Sequence, residues 1–160
     1  MTKLSVPESF RVPDSLDTDH FHLEVLTPAV AEMDYEAVMS SRVRLRSVFD
    51  EETNWPDDTM SLSDNIKDLK RHHDEFLSRK AFAYTVLTPT KDKCIGCVYI
   101  DPCEVDEFDC EVFLWVTDDC LNLDNELYQN IRDWLTKCWP FKKIAFPGRD
   151  ITWEKWKSHM

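Results

Sequence analysis

Residues 81–119, AFAYTVLTPTKDKCIGCVYIDPCEVDEFDCEVFLWVTDD, decide the fold. Three runs dense in Val, Ile, Phe, Tyr, Trp and Cys lie here, at 81–88, 94–101 and 110–117, and each reads as a strand. Thr88-Pro89-Thr90-Lys91-Asp92 is a turn signal between the first two runs. An acidic loop from Pro102 to Asp109 separates the second from the third. Connections this short force antiparallel neighbours, so the stretch predicts a three-stranded meander. The run Val112-Phe113-Leu114-Trp115-Val116 is apolar at every position, as in a strand buried on both faces. It is the predicted centre of the sheet.

Working outward, residues 1–20 read as an extended arm pinned by Phe10, Val12 and Leu16, and 21–160 as a single domain. Phe21 to Leu26 alternates as a first strand. Thr27-Pro28 then starts a helix with Val30, Met33, Ala37 and Val38 on its apolar stripe, and Arg42 to Arg46 continues the helical pattern. Phe49 to Thr59 is an acidic loop around Trp55-Pro56. Ser61 caps the next helix with Asp64 completing a capping box, and Ile66, Leu69, His73, Phe76 and Leu77 form its expected face. After the meander, Asp124 is the expected cap of a helix carrying Leu127, Ile131, Trp134, Leu135 and Cys138 on one face, ended by Pro140. Lys143 to Phe146 is a short strand, and 150–156 a terminal helical turn. Cys110 to Phe146 is thus a βαβ unit with parallel strands. The fold class is a mixed α/β sheet with helices on both faces.

Composition narrows the function. The chain of 160 residues has 42% hydrophobic residues, with six Trp and nine Phe, enough for a real core. A formal net charge of −12 argues against nucleic acid and against anionic membrane surfaces, and favours a cationic or neutral ligand. No run reaches the ~18 apolar residues of a membrane span, and Met1 to Phe10 has no signal-peptide stretch. A cytoplasmic location with six reduced cysteines is the expectation. The two glycines compare with roughly 11 at average usage, leaving few places for close backbone approach to a ligand. No Gly-rich phosphate loop, GxSxG elbow or HExxH motif is present.

Cys94-Ile95-Gly96-Cys97 has the spacing of a zinc knuckle, yet residues three apart on a strand point to opposite faces, so no metal is expected there. His20 and His22 share a strand face without a third ligand. His72 and His73 are adjacent on a helix, with His73 on its apolar side, and read as structural. Around Trp55, the acids Asp50, Glu51, Glu52, Asp57 and Asp58 suggest an aromatic-plus-acid lid for a cation, against the alternative of a core plug under an acidic loop.

The order of elements resembles the GNAT N-acetyltransferase superfamily from residue 21 to Phe146. Ile95-Gly96-Cys97-Val98 resembles the hydrophobic-Gly-hydrophobic-hydrophobic pattern of its third strand, and Phe113-Leu114-Trp115-Val116 resembles its fourth. The resemblance implies transfer of an acyl group from acetyl-CoA or another acyl-CoA to a small-molecule amine. The backbone of Leu114, Trp115 and Val116 would hold the pantetheine arm. Glu111 would be the base and Tyr128 the candidate acid, while Trp55 would line the acceptor wall. Glu111 sits in a sequence crowd with Asp109 and Glu107 that should raise its pKa. The family's diagnostic loop is a Gln or Arg, two spacers, Gly, a spacer, then Gly or Ala. Here those positions fall on Leu121, Asp124 and Glu126, and Asp118, Asp119 and Asp124 bring carboxylates to a pyrophosphate site. A non-catalytic GNAT-like module binding a small molecule or a protein partner is the alternative reading.

Overall fold

The computed structural model describes residues 6–160. Six strands form one sheet in the order β1-β2-β3-β4-β5-β6: Ser15–Asp17, His22–Val25, Phe82–Leu87, Cys94–Asp101, Cys110–Val116 and Ile144–Ala145. Every neighbouring pair is antiparallel except β5 and β6, which run parallel at Cys110↔Ile144 and Glu111↔Ala145. The meander, the parallel crossover and the place of β5 between β4 and β6 all match the expectation. β1 is an addition: three residues of the extended arm pair with β2. The arm is held by the Tyr84 hydroxyl donating to the Pro13 carbonyl at 2.6 Å and by Arg79 donating to the Pro7 and Phe10 carbonyls.

Alternation along the strands builds two apolar layers. Tyr84, Val86, Val98, Ile100, Val112 and Leu114 face α4 (Asp124–Cys138), whose Leu127, Ile131, Trp134 and Leu135 cover them. Ala83, Cys97, Tyr99, Phe113 and Trp115 face the opposite layer, made by α1 (Ala31–Ser40), α2 (Arg42–Leu45) and α3 (Leu62–Leu77). The run 112–116 is apolar throughout because helices cover both of its faces. Each such side chain contributes roughly 1.5–3 kcal/mol by leaving water. Gly96 is where β4 and β5 come closest, since a Cβ there would lie 2.3 Å from the Trp115 carbonyl oxygen.

Four local expectations are corrected. The buried face of α3 carries Asn65, Leu69 and Phe76, while Ile66 and Leu77 are exposed. Asn65 turns inward because its amide donates to the buried Asp34 carboxylate at 3.0 Å and to the Ala31 carbonyl. Cys94 and Cys97 belong to the same core layer instead of opposite ones. The pairing slips between Val86↔Gly96 and Leu87↔Cys94, so Ile95 is an extra, bulged residue that resets the alternation. Asp124 does not cap α4: a 3-10 turn, Asp118–Leu123, leads into the helix, and the Asp124 carboxylate is held by Arg149. The last helix, α5, spans Trp153–Lys157 and is capped by Thr152 rather than starting at 150.

Candidate functional site: an acid and aromatic pocket and a closed strand edge

A cavity of about 920 Å³ opens where the ends of β4 and β5 meet α3 and the 49–55 loop. Its charged wall starts from register. Asp101 and Glu111 are direct cross-strand partners, on the same face as Tyr99 and Phe113. The pair ends the β4–β5 ladder, and Asp68, Arg71, His72 and Glu75 of α3 line the cavity with it. Phe49 meets Trp55, Tyr99 and Phe113 at ring-centroid distances of 5.6, 4.9 and 5.2 Å. Trp115 donates from Nε1 to the Tyr99 hydroxyl at 3.0 Å and fixes that ring from below. From α3, Arg71 bridges Asp68 and Glu75, and the His72 ring lies 5.4 Å from Tyr99.

Asp101 and Glu111 are both half-buried, and among the described residues neither carboxylate has a hydrogen-bond or ion-pair partner. Burial pushes Asp101 up to about 6; His72 and Arg71 pull against that rise and Glu75 adds to it. Burial pushes Glu111 up to about 7, helped by Asp101 and Glu104. The expected rise at Glu111 is present with different neighbours. Asp109 instead accepts the Lys142 and Lys143 amides, anchoring the approach to β6. Two like charges opposite each other on adjacent strands are unfavourable. The arrangement is suited to a cation placed between them.

Glu111 and Trp55 therefore line one cavity. Tyr128 is elsewhere. It packs edge-on against Phe146, donates to Asp150, accepts from Arg132 at 2.6 Å, and has the Arg149 guanidinium 5.9 Å from its ring centre. His73, expected on an apolar face, lies outside the cavity wall, and its neighbour His72 lines it. Asp101, Phe49, Tyr99 and His72 were not singled out as site residues from sequence. Asp101 had a readable signal, since a hairpin from 94–101 to 110–117 places the two strand-end acids side by side.

The backbone at Leu114, Trp115 and Val116 has a different environment. The Thr117 amide donates to the Ile95 carbonyl, so odd-numbered residues of β5 exchange bonds with β4 and even-numbered ones face the other edge. Trp115 therefore turns its main chain to β4, while Leu114 and Val116 turn theirs to the other edge. Beyond Glu111, among the described residues, no β6 residue pairs with that edge, yet two of its carbonyls are taken. Arg149 donates to Leu114 O at 3.1 Å, and Arg44 donates to Val116 O. Both cations are anchored by the Asp-rich turn: Arg149 to both oxygens of Asp124 at 2.8 and 2.9 Å, and Arg44 to Asp118 at 2.6 Å. Lys93 binds Asp119 at 2.8 Å, and with the Thr117 hydroxyl holds that carboxyl down near 2. Ser41 Oγ accepts the Asp118 amide. Edge carbonyls held by guanidinium groups, carboxylates in the turn and an amide already bonded do not fit an acyl-CoA arm and its pyrophosphate. Among the described residues no group of three or more His, Cys, Asp or Glu could hold a metal ion, and no helix is long and apolar enough to cross a membrane.

No family model matches the chain, and no curated protein matches its sequence. Solved structures do match in fold. The ribosomal-protein-S5-alanine acetyltransferase from Vibrio fischeri has a TM-score of 0.65 at 16% identity, over 91% of this chain and 79% of that one. The microcin C7 self-immunity acetyltransferase MccE, solved with acetyl-CoA and AMP, has a TM-score of 0.56 at 16% identity, over 77% and 67%. RimL, the ribosomal L7/L12 alpha-N-protein acetyltransferase, solved with coenzyme A, has a TM-score of 0.59 at 11% identity, over 79% and 68%. Six strands in this order, with one parallel crossover and helices on both faces, are the fold of the GNAT acetyltransferases.

Proposed function

We propose that this chain binds a small-molecule amine, as its ammonium cation, in the cavity between α3 and the ends of β4 and β5, and that it does so as a non-catalytic module of the GNAT fold. One observation carries the reading: Asp101 and Glu111 face each other beside the Phe49, Trp55 and Tyr99 rings, and among the described residues neither makes a hydrogen bond or ion pair, with Arg71 and His72 of α3 acting on Asp101 only at longer range. An ammonium group between them would relieve their repulsion and meet aromatic surface at the same time. The chain's net charge of −12 supports attraction of a cation over distance. Calorimetric titration with 2-phenylethylamine, n-butylamine and the matching alcohols tests it. Amines should bind at pH 8, at least ten-fold more weakly to an Asp101→Asn/Glu111→Gln variant, and the alcohols should not bind. Equal binding of amine and alcohol, or binding untouched by the double substitution, would refute it.

A second reading, acyl transfer to that amine, is favoured by the position of Glu111. A carboxyl group with its pKa near 7 is matched to receiving a proton at neutral pH. Turnover of an amine with acetyl-CoA, lost in Glu111→Gln with the fold intact, would establish this reading over the first.

A further inference from the structure

We infer that Arg149 is the specificity-determining residue that closes this fold to CoA-type arms: its guanidinium occupies the free edge of β5 where an extended, amide-bearing ligand would have to pair. A strand edge with unpaired carbonyls accepts an added extended chain through those carbonyls. On β5 the even-numbered positions past the last β6 pair are Val112, Leu114 and Val116, and the two carbonyls nearest the Asp-rich turn are Leu114 O and Val116 O. Arg149 takes the first at 3.1 Å, and Arg44 takes the second.

Arg149 is fixed from several sides. Its side chain is about a quarter exposed (26%), and its bidentate partner Asp124 is similar at 29%. A partly desolvated, two-pronged ion pair resists displacement far more than a surface pair. Its backbone is set by a tight turn. The Arg149 amide donates to Phe146 O, and the Gly148 amide donates to Ile151 O. Gly148 has φ +81°, and a Cβ there would lie 2.6 Å from the Trp153 ring. A left-handed residue stacked under an indole leaves the next side chain directed at β5. Arg44 repeats the arrangement from α2, anchored by Asp118. Two cations from opposite ends of the chain thus hold the edge. This exclusion is independent of the amine reading, since the amine cavity is lined by different residues.

The test uses two probes. Pantetheine carries the amide-bearing arm without phosphates, and acetyl-CoA carries both. The unmodified protein should show no heat with either up to millimolar concentration. An Arg149→Met/Asp124→Leu variant exchanges the ion pair for apolar groups of similar size, a change proteins often tolerate. It should gain pantetheine affinity by at least ten-fold, whereas Arg149→Lys, which keeps a donor, should gain little. Far-UV circular dichroism and a cooperative thermal melt serve as the folding check on each variant. Micromolar binding of either probe by the unmodified protein would overturn the inference, as would a folded double variant that gains nothing. A measurement that needs no variant is the amide spectrum of the unmodified protein with added acetyl-CoA. Shifts confined to Phe113–Thr117 would also overturn it, and an unchanged spectrum supports it.

Discussion

Replacing Asp101 with Asn should stabilise the protein, and by an amount that depends on pH in a defined way. In the folded chain the Asp101 carboxyl is pushed from 3.8 to about 6, so the folded state prefers it protonated. An acid with a raised folded pKa detracts from stability once ionised. The penalty is absent below the unfolded value near 4, grows between 4 and 6, and is complete above 6. Two units at about 1.36 kcal/mol each give roughly 3 kcal/mol, and partial solvent access reduces this to about 2. Asn keeps the shape, carries no charge, and offers N–H donors to the ionised Glu111. At pH 8 the variant should gain about 2 kcal/mol, which for a chain of this size is a Tm rise of roughly 4–8 °C. Below pH 4 the two proteins should melt together. Thermal melts followed by circular dichroism between pH 3.5 and 8 read this directly. Parallel curves, with the same difference at every pH, would show that Asp101 is solvated and that no desolvated acid pair exists to receive a cation. The same logic fixes how ligand affinity varies. Amine binding should strengthen as pH rises from 5 to 8, because both carboxylates ionise over that window while a primary amine remains protonated.

Three further outcomes follow from the packing. Asn65→Ala should cost about 2–3 kcal/mol at pH 8 in urea unfolding, because it strips a hydrogen bond from the buried Asp34 carboxylate. The loss should shrink below pH 6, since Asp34 is already pushed to about 6 by burial and is more easily neutralised there. Gly96→Ala should sharply lower soluble yield or Tm, as its Cβ meets the Trp115 carbonyl at 2.3 Å in the centre of the sheet. In thiol labelling of the native protein, Cys138 should react first, and buried Cys94 and Cys97, their thiols pushed up by burial, only on unfolding.

Local pattern was enough for the sheet but not for the side-chain partners that give each end of it a character. The meander was legible because turn signals and β-branched runs act within a few residues. That the strand at 112–116 is covered on both faces was legible, because only such a strand is apolar throughout, whereas its place beside the two-residue β6, one strand from the sheet's edge instead of at its centre, was not. The face of α3 was misread for a physical reason. A periodicity argument treats Asn65 as a surface residue, whereas its amide is satisfied by Asp34 from α1, 31 positions away. That partner reverses the sign of its burial. The Asp-rich turn shows the same limit more sharply. In sequence, Asp118, Asp119 and Asp124 are three like charges that repel an anion. In the fold they meet Arg44, Lys93 and Arg149, drawn from α2, the β3–β4 turn and the segment after β6. The charge of the turn is thereby paired within the fold instead of being left to act on a ligand. A ligand could screen a charge with a counterion. Under the proposed exclusion it would also have to displace the Arg149 guanidinium, held by Asp124 on its other side, to lie along the Leu114 edge. At the opposite end of β5 the balance is reversed. Asp101 and Glu111 have no such partner, so the charge that is cancelled at the Leu114 end of the strand stays available at the Glu111 end, inside an aromatic wall.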